Sequence, residues 1–290
     1  MKNEKIKVGI LGLGRIGRSG HGDEISSYPE NFEIIAGCDY DYTRRQNLPA
    51  CFANAKIHER YEDLLADPEV ELITVATRNC DHTPHGIAAM QAGKYVVIEK
   101  PIAVSYDQAL ELKLADERYP GKLFLRHNRR FEPAFNEVKK TIDSGILGNV
   151  YAVKVYRHPC MNRRFDWQTT GACFGGLLNN WGPHLIDQAL QFLASPVADL
   201  WADLQHAVAA GTADDYFKLL LRGENGRVVD VEVSGNTTLP GDLYYAEGNR
   251  GSLSVSLQEK NIKLKYLKPD YKFTSLDSLI VNAEKMLVTS

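Results

Sequence analysis

The sequence has no cysteine pair, no long apolar segment and no excess of basic charge. Its five cysteines are odd in number, scattered and without a C-x-x-C spacing, which argues against a disulfide framework or a thiolate zinc site. The apolar run near the N-terminus is too short and too rich in glycine for a signal peptide or membrane span. With a net charge of −3, no basic surface favours nucleic acid or an anionic membrane. We therefore expect a cytoplasmic protein that binds neither nucleic acid nor membrane.

The rest of the composition is ordinary for a soluble globular protein. Of the 290 residues, 44% are hydrophobic and 24% are charged, as is usual in that class. This length allows one large domain or two of medium size, each with its own hydrophobic core.

The first part of the chain, up to about residue 126, alternates short apolar runs with helical patterns. The apolar runs predict buried strands at Ile6–Leu11, Glu33–Cys38, Glu71–Ala76, Tyr95–Ile98 and Lys122–Leu125. The segments between them predict helices at Arg15–Tyr28, Tyr61–Ala66, His82–Ala92 and Ser105–Glu117. Such alternation is typical of an α/β domain with a doubly wound parallel sheet.

The second part has a different pattern, so we place the domain boundary near residues 126–130, with domains at 1–126 and 127–290. Helices are predicted at Phe131–Ser144, 176–194 and Ser275–Val288. Strands are predicted at Val150–Tyr156, Leu200–Ala207, Tyr216–Leu221, Val228–Val233, Leu243–Glu247 and Gly251–Leu257. Glycine-flanked turns at 223–226 and 248–251 favour hairpins, which indicates an α+β domain with a predominantly antiparallel sheet. Residues 157–174 show no periodicity and predict a long loop, a feature that is usually functional or disordered.

A glycine-rich segment follows the first predicted strand and opens the first helix. Gly12, Gly14 and Gly17 form the pattern G-x-G-x-x-G, with Arg15 and Ile16 inside it. In this context the first glycine allows a tight turn, the second the approach of a pyrophosphate, and the third close packing of helix on strand. The phosphate charge then meets free N–H groups at the start of the helix. We predict a dinucleotide site.

An acidic residue at the end of the second predicted strand indicates which dinucleotide is bound. Asp39 stands where a carboxylate accepts hydrogen bonds from both ribose hydroxyls. The same carboxylate would repel a 2′-phosphate, so NAD is favoured as the cofactor. NADP stays possible because Arg44 and Arg45 are nearby, and a guanidinium accommodates that phosphate.

A lysine at the end of another buried strand is the main catalytic candidate. The β-branched residues Val96–Ile98 favour a strand, and Pro101 makes its continuation difficult. Lys100 therefore stands at the carboxyl end of a strand, where open α/β sheets bind ligands. By itself this segment is equally compatible with a solvated lysine at a strand end.

Together these features resemble the Gfo/Idh/MocA oxidoreductases, and the resemblance covers nearly the whole chain. Beyond the glycine loop, the family's T-P-N-x-x-H and A-x-x-A-G-K-x-V-x-x-E-K-P stretches appear as Thr77–His82 and Ala89–Pro101. An Asn-Arg-Arg-Phe segment is present at Asn128–Phe131, and the G-G-x-L-x-[DN]-x-G-x-H-x-x-D signature appears as Gly175–Asp187.

The resemblance implies an N-terminal Rossmann domain and a C-terminal domain whose open sheet often builds homodimers or homotetramers. It also implies that Lys100 and His184 flank the carbon that loses a hydride. An alcohol sheds a proton as the hydride leaves, so a base near neutrality is needed, and histidine suits that role. The positive charge of Lys100 would stabilise the developing alkoxide.

The same resemblance names further contacts. Cofactor contacts are expected from the glycine loop, Asp39, Thr77, Asn79, His82, Glu99 and Lys100. A carbohydrate-like substrate is expected to meet Asn128, Arg130 and Asn180. Trp167 either closes over a sugar ring, because aromatic faces suit carbohydrates, or packs on its own domain.

Three positions depart from the family pattern. Asn180 stands where many members have Asp, so it cannot stabilise a protonated His184 by charge. Pro183 lies within the helical signature, which predicts either a kink or a new segment starting there. Arg78 replaces a proline, and its role is open.

Other polar residues carry weaker expectations. His82 and His85 have a helical spacing that would suit a metal, but no cluster of Cys or carboxylates joins them, so no metal is expected. His21 lies either on the surface of the first helix or at the rim of the site. Asp187, one turn after His184, either orients that ring or is solvated.

These residues support a leading hypothesis and two alternatives. The leading one is an NAD(P)-dependent dehydrogenase acting on a hydroxyl carbon of a sugar, polyol or related compound. The alternatives are a glycosidase of the same fold that holds NAD and cleaves by transient oxidation, and a non-enzymatic regulator that binds the dinucleotide.

Overall fold

The structure of the protein is a computed structural model, and it describes residues 4–158, 166–257, 261–268, 270–272 and 287–289. The chain divides into two units, Met1–His127 and Asn128–Ser290. Within the described residues, no helix combines the length and the apolar composition that a membrane crossing requires.

Six strands form the sheet of the first unit. They are β1 (Ile6–Leu11), β2 (Phe32–Cys38), β3 (Lys56–His58), β4 (Leu72–Val75), β5 (Tyr95–Ile98) and β6 (Leu123–Leu125). Their order is β3-β2-β1-β4-β5-β6, and every pairing is parallel. The predicted parallel sheet is thus confirmed. The strand order reverses between β1 and β4, and open α/β sheets bind ligands at that point, outside the carboxyl ends of the strands.

Both faces of this sheet are buried. Side chains alternate along a strand, and Ile10 and Leu11 accordingly belong to two different hydrophobic clusters. The covering elements are a π-helical turn (Ile16–Gly22) and the helices α1 (Asp23–Ser26), α2 (Tyr61–Ala66), α3 (His82–Gln91) and α4 (Tyr106–Arg118). Burial on both faces explains why the strands read as continuous apolar runs.

Eight strands form the sheet of the second unit. They are β7 (Val150–Arg157), β8 (Val197–Gln205), β9 (Tyr216–Gly223), β10 (Val228–Ser234), β11 (Tyr244–Gly248), β12 (Gly251–Val255), β13 (Ile262–Leu267) and β14 (Leu287–Thr289). Their order is β14-β13-β12-β11-β7-β10-β9-β8. Only β7 and β10 pair in parallel, so the predominantly antiparallel sheet is confirmed. Both predicted hairpins are present, joining β9 to β10 and β11 to β12.

Two helices cover one face of this second sheet. They are α5 (Pro133–Asp143) and α6 (Leu177–Leu193). Phe135, Leu185 and Phe192 from the helices pack against strand residues such as Val155 and Phe217 in one core cluster. The opposite face carries polar and charged side chains, including Lys154, Tyr156, Lys218, Asp230 and Glu232. Hydrophobic residues therefore alternate with polar ones along β7, β9 and β10.

Several predicted elements need correction. The strands β3, β13 and β14 were not predicted, because each is short or carries lysine and histidine among its apolar residues. Residues 275–286 of the predicted last helix lie outside the described residues, and its final residues, Leu287 and Val288, belong to β14. No new segment starts at Pro183, since α6 runs through it.

Candidate active site

The three glycines of the loop have different surroundings. Gly12 follows β1 with φ = 92°, and a Cβ there would lie 2.5 Å from the carbonyl oxygen of Ala76. At Gly17 a Cβ would lie 1.8 Å from the carbonyl oxygen of Gly12. At Gly14 the nearest atom to a Cβ is Nη1 of Arg44, at 3.8 Å. The fold thus requires the first and third glycines, whereas the second keeps open the surface that a pyrophosphate needs.

A helical turn starts at the end of the glycine loop. Arg15 is exposed, and the π-helical turn begins at Ile16. The first N–H groups of a helix have no partner inside the helix, so this end suits an anion. These residues therefore fit the dinucleotide that the sequence predicts.

Asp39 follows β2 and ties it to the glycine loop. Its side chain is buried (4% exposed). Its Oδ2 accepts a hydrogen bond from the N–H of Leu13 (2.8 Å), and its Oδ1 accepts one from the N–H of Asp41 (2.9 Å). Nη1 of Arg44 lies 3.7 Å from Oδ2. A carboxylate accepts about four hydrogen bonds, so Asp39 retains capacity for a ribose hydroxyl.

A cleft of about 390 Å³ opens beside Gly12 and Asp39. Ligand pockets in proteins run from about 300 to 1,000 Å³, so this cleft suits part of a dinucleotide. Arg78 lines it and donates through Nε to Oδ2 of Asp81 (2.9 Å). The other lining residues include Tyr40, Arg44, Glu59, Arg60, Tyr61, Glu62, Thr77 and His85. The departure at Arg78 therefore lies at the predicted cofactor site.

The turn after β4 carries three of the predicted cofactor residues. Thr77 lines the cleft, and its Oγ1 lies 3.2 Å from Nδ1 of His85. Asn79 is buried in a short 3₁₀ turn. His82 is also buried, with Nδ1 2.7 Å from the carbonyl oxygen of Pro101 and Nε2 3.2 Å from that of Thr77. The imidazole of His82 thus lies between two backbone turns of the site.

Lys100 lies immediately beyond β5, the strand next to β4. Its backbone N–H donates to Oε2 of Glu99 (3.1 Å). Glu99 is buried beside His21 and Arg126. Within the first unit, the glycine loop, Thr77 and Lys100 therefore follow β1, β4 and β5, which are neighbours in the sheet.

The second unit positions its predicted catalytic residue on α6. Gly176 precedes the helix with φ = 97°, and a Cβ there would lie 2.0 Å from Oδ1 of Asp214. Asp214 caps the helix, since its Oδ2 accepts from the N–H of Leu178 (2.7 Å). Burial raises the pKa of Asp214 against these backbone hydrogen bonds. The Gly-Gly pair of the signature thus lets an acid from outside the helix hold its first turn.

His184 lies two turns into α6 and is buried. The ring of Trp181 meets it edge-on, with centroids 6.4 Å apart. Asn180, half-buried, lies one turn before His184, and residues at this spacing share a helix face. The structure therefore places Asn180 beside the predicted base, in the second unit.

The remaining predicted substrate residues lie at different places in the second unit. Arg130 makes a two-point ion pair with Asp187, with Nε 2.8 Å from Oδ2 and Nη2 2.5 Å from Oδ1. Asn128 is exposed in the 3₁₀ turn Asn128–Phe131. Trp167 begins another 3₁₀ turn and is half-buried.

A polar network behind α6 was missed by sequence reasoning. Arg157 is buried and donates through Nη2 to Glu132 (3.1 Å) and to the hydroxyl of Tyr244 (2.8 Å). That hydroxyl donates to Oε1 of Gln188 (3.0 Å), which is on α6. Burial raises the pKa of Tyr244. The sequence contains no signal for this network, because its members come from four separate elements.

The fold and these side chains define a class of protein. A Rossmann sheet with a glycine loop after β1, a buried carboxylate after β2 and a lysine after β5 is the architecture of a dinucleotide-dependent oxidoreductase. Among the described residues, no group of three or more His, Cys, Asp or Glu side chains is arranged to hold a metal ion.

Comparison with known proteins agrees with this class. Residues 6–127 match the oxidoreductase family with an NAD-binding Rossmann fold, and residues 135–254 match the GFO/IDH/MocA C-terminal domain. The chain therefore belongs to the Gfo/Idh/MocA family of NAD(P)-dependent oxidoreductases, as its motifs predicted.

Individual relatives share both units. The scyllo-inositol 2-dehydrogenase (NADP(+)) IolW of Bacillus subtilis is 33% identical over 76% of this chain and 60% of its own length. An NAD-binding protein from Listeria innocua has a TM-score of 0.87 and 26% identity, covering 99% of this chain and 81% of its own. The WlbA dehydrogenase from Bordetella pertussis, in complex with NADH and UDP-GlcNAcA, has a TM-score of 0.75 and 26% identity, covering 88% of this chain and 75% of its own.

Proposed function

We propose that the protein transfers a hydride between a nicotinamide dinucleotide and a hydroxyl carbon of a sugar, a cyclic polyol or a related compound. The observation that carries the proposal is that the glycine loop and Lys100 lie at the carboxyl ends of β1 and β5, two parallel strands with only β4 between them. The name of IolW and the UDP-GlcNAcA bound to WlbA support a polyol or sugar as the substrate.

In this proposal Lys100 and His184 have different roles towards the substrate hydroxyl. The bound nicotinamide supplies the hydride acceptor. The ammonium group of Lys100 stabilises the alkoxide as the hydroxyl proton leaves. The imidazole of His184 accepts that proton, and the carbonyl product forms as the C–H bond breaks. In the reverse direction the same imidazole returns the proton.

The cofactor contacts follow from the first unit. Gly14, Arg15 and Ile16 take the pyrophosphate, and Asp39 takes the ribose hydroxyls. NAD is the expected cofactor, and Arg44 beside Asp39 also allows NADP. Thr77 and Asn79, in the turn after β4, are further proposed contacts of the cofactor. His82 acts through the two turns that it joins.

The substrate contacts that we propose come from the second unit. Asn180 offers an amide to a substrate hydroxyl and lies on the helix face of His184. Trp167 offers an aromatic face for a sugar ring. Asn128 is exposed and offers an amide. Arg130 uses Nε and Nη2 in its ion pair with Asp187 and offers Nη1 to the substrate.

The test replaces the catalytic amine. Inositols, aldoses and sugar acids are screened with NAD and with NADP, and formation of the reduced cofactor is recorded. Lys100→Met is expected to abolish turnover of the best substrate while the variant still binds the cofactor. Lys113→Met, on the exposed face of α4, is the matched control and keeps full turnover. Undiminished turnover in Lys100→Met would overturn the proposal, and glycoside cleavage without net cofactor reduction would favour the glycosidase.

We also propose that two copies of the chain associate through the sheet of the second unit. β8 is the last strand of the described sheet, and it pairs only with β9 within it. It exposes Leu200, Trp201 (52% exposed) and Leu204 (47% exposed) over nine residues. An edge strand that exposes large apolar side chains is a pairing surface unless it is covered. A second copy, meeting it about a two-fold axis, covers it with the same residues.

The proposed location is the cytoplasm. Cys38, Cys51, Cys80 and Cys173 are free thiols, which suits a reducing compartment. Burial raises the pKa of the Cys38 thiol to about 12, so this thiol beside the cofactor cleft stays protonated and unreactive.

A further inference from the structure

Four charged or titratable side chains, two of them buried, form a group next to Lys100. Its centre is Glu99, which is 6% exposed. His21, from the π-helical turn, is 3% exposed and places Nε2 3.3 Å from Oε1 of Glu99. Arg126, just after β6, donates through Nη1 to the same oxygen (2.6 Å) and through Nη2 to Oε2 of Glu24 (2.5 Å). Three separate segments therefore converge on one carboxylate.

The second oxygen of the Glu99 carboxylate accepts a hydrogen bond from the backbone of Lys100, the predicted catalytic residue. Oε2 of Glu99 accepts from the backbone N–H of Lys100 at 3.1 Å. Glu99 thus has one oxygen bonded to Arg126 and 3.3 Å from Nε2 of His21, and the other bonded to the peptide group that carries the amine. A buried carboxylate needs such partners, because an unpaired charge in the interior is costly.

Charge keeps this carboxylate ionised. Burial by itself raises the pKa of Glu99, but the hydrogen bond and charge of His21, with the charges of Arg126 and Lys100, lower the pKa to about 2. An ionised Glu99 accepts at both oxygens and donates from neither, so its Oε2 is an acceptor for the N–H of Lys100 near neutral pH.

The local backbone around His21 also departs from ordinary helix geometry. Residues Ile16–Gly22 form a π-helical turn, a rare form that is frequent at functional sites. The imidazole of His21 lies in its last turn and is buried against Glu99. The same turn begins at the glycine loop. One element thus carries both the loop and a partner of Glu99.

We propose that His21 and Arg126 are positioning residues of the hydride-transfer reaction, which hold Glu99 so that its second oxygen fixes the peptide of Lys100. The inference rests on the proposed role of Lys100. Neither side chain touches the reacting atoms. Loss of either lets the carboxylate turn, the peptide of Lys100 loosens, and the amine spends less time in its reactive position.

A general role in stability is the competing explanation, and amide exchange separates the two. Hydrogen–deuterium exchange of the Lys100 amide is measured in His21→Leu, Arg126→Met and the unaltered chain, without any substrate. Positioning predicts exchange at Lys100 that is faster by about fivefold or more, the scale of one lost hydrogen bond, while β1 and β4 keep their protection. An effect spread evenly over the sheet, or none at Lys100, would overturn the inference.

The second measurement is kcat, and it includes a variant that is expected to restore the rate. His21→Leu is expected to lower kcat by about tenfold to a hundredfold, as small misplacements of catalytic groups do, with the NAD dissociation constant changed little. His21→Gln keeps a donor for Glu99 and is expected to recover most of the rate. The matched control is His58→Leu on β3, a buried histidine 3.7 Å from Asp67 at the far edge of the sheet, which leaves kcat unchanged.

The outcomes distinguish this inference from the function on which it rests. Turnover that survives in Lys100→Met refutes the proposed chemistry, while the exchange of the Lys100 amide still decides whether His21 and Arg126 hold that peptide. A second outcome is that Lys100→Met loses turnover, whereas His21→Leu and Arg126→Met keep the kcat and the amide exchange of the unaltered chain. This outcome refutes the positioning role and leaves the proposed chemistry standing. If His21→Leu does not fold, Arg126→Met and Arg126→Gln carry the same measurements.

Discussion

Nδ1 of His82 lies 2.7 Å from the carbonyl oxygen of Pro101, and this contact joins the start of α3 to the turn that follows Lys100. A carbonyl oxygen only accepts hydrogen bonds, so we assign the ring proton to Nδ1. Nε2 faces a second carbonyl oxygen, that of Thr77, at 3.2 Å. Burial lowers the pKa of His82 more than the two carbonyl contacts raise it. The ring is therefore neutral, with one good hydrogen bond.

This arrangement predicts a pH dependence of stability. The unfolded chain binds a proton at His82 below its ordinary pKa of 6.5, whereas the folded chain resists it, so His82 makes folding less favourable as pH falls. His82→Asn retains a donor for Pro101 and cannot titrate. Urea unfolding at pH 7.5 and pH 5.5 (~) is expected to show a smaller loss of stability on acidification in His82→Asn than in the unaltered chain. Equal losses in both chains would show that His82 does not resist protonation.

The glycine loop allows two alanine variants to be compared. Gly17→Ala forces a methyl group against the backbone of Gly12, so we expect a destabilisation of about 1–3 kcal/mol or more. Gly14→Ala meets only the end of Arg44, so its melting temperature stays close to that of the unaltered chain. The new methyl of Gly14→Ala occupies the pyrophosphate surface, and NAD binding measured by calorimetry is expected to weaken strongly. Undiminished NAD affinity in a folded Gly14→Ala would place the cofactor elsewhere.

Arg44 is expected to decide how well NADP is accepted. Nη1 of Arg44 lies 3.7 Å from Oδ2 of Asp39, so we expect it to reach the 2′-phosphate of NADP. A hydrogen bond to a charged group contributes about 1.5–3 kcal/mol. Arg44→Ala should weaken NADP binding about tenfold or more and change NAD binding little. Arg118→Ala, on α4, is the control and should alter neither. If NAD and NADP lose affinity equally in Arg44→Ala, the arginine supports the fold of the turn rather than the phosphate.

Asn180→Asp tests the proposed base. Asp at this position adds a negative charge on the helix face of His184, which favours the protonated ring. A general base works only when unprotonated, so the acidic limb of the pH profile of kcat/KM should move to higher pH. Asn179→Asp changes the neighbouring residue, which points away from that face, and should move the profile less. An unchanged limb in Asn180→Asp would remove His184 as the base.

The edge strand β8 predicts the oligomeric state. Replacing Trp201 and Leu204 together by Glu places charges on the proposed contact, and like charges then face each other across the two-fold axis. Sedimentation should show dimers for the unaltered chain and monomers for the double variant. Tyr28→Glu, an equally exposed aromatic in the first unit, is the control and should leave the dimer intact. A monomeric unaltered chain would contradict the proposal.

Much of the fold was predictable because its signals are local. β1 and β5 have the predicted bounds, since each is a short apolar run ended by glycine or by a charged residue before proline. The strand β3 was missed because Lys56–His58 has only three residues and no periodicity. It exists because its backbone pairs with β2, which no local pattern reveals.

The site was predictable only in part. Motif spacing predicted Gly12–Gly17, Asp39 and Lys100 as site residues, and the structure places each of them after a strand of the same sheet. The sequence left His21 undecided between a helix surface and the site rim, yet it is buried against Glu99. The sequence also left open whether Asp187 orients the ring of His184 or is solvated, and in the structure Asp187 forms an ion pair with Arg130.

The amino-acid sequence by itself therefore determined the class of fold, the loop for the dinucleotide and the lysine at the strand end. These depend on backbone freedom at glycine, on the restriction at proline and on the periodicity of apolar residues, all of which act over a few neighbouring positions. Only the tertiary structure decided which side chains surround Glu99, the residue before that lysine. His21, Glu99 and Arg126 are distant in the chain, and their contact arises from the order of strands in the sheet and from the need of a buried carboxylate for partners.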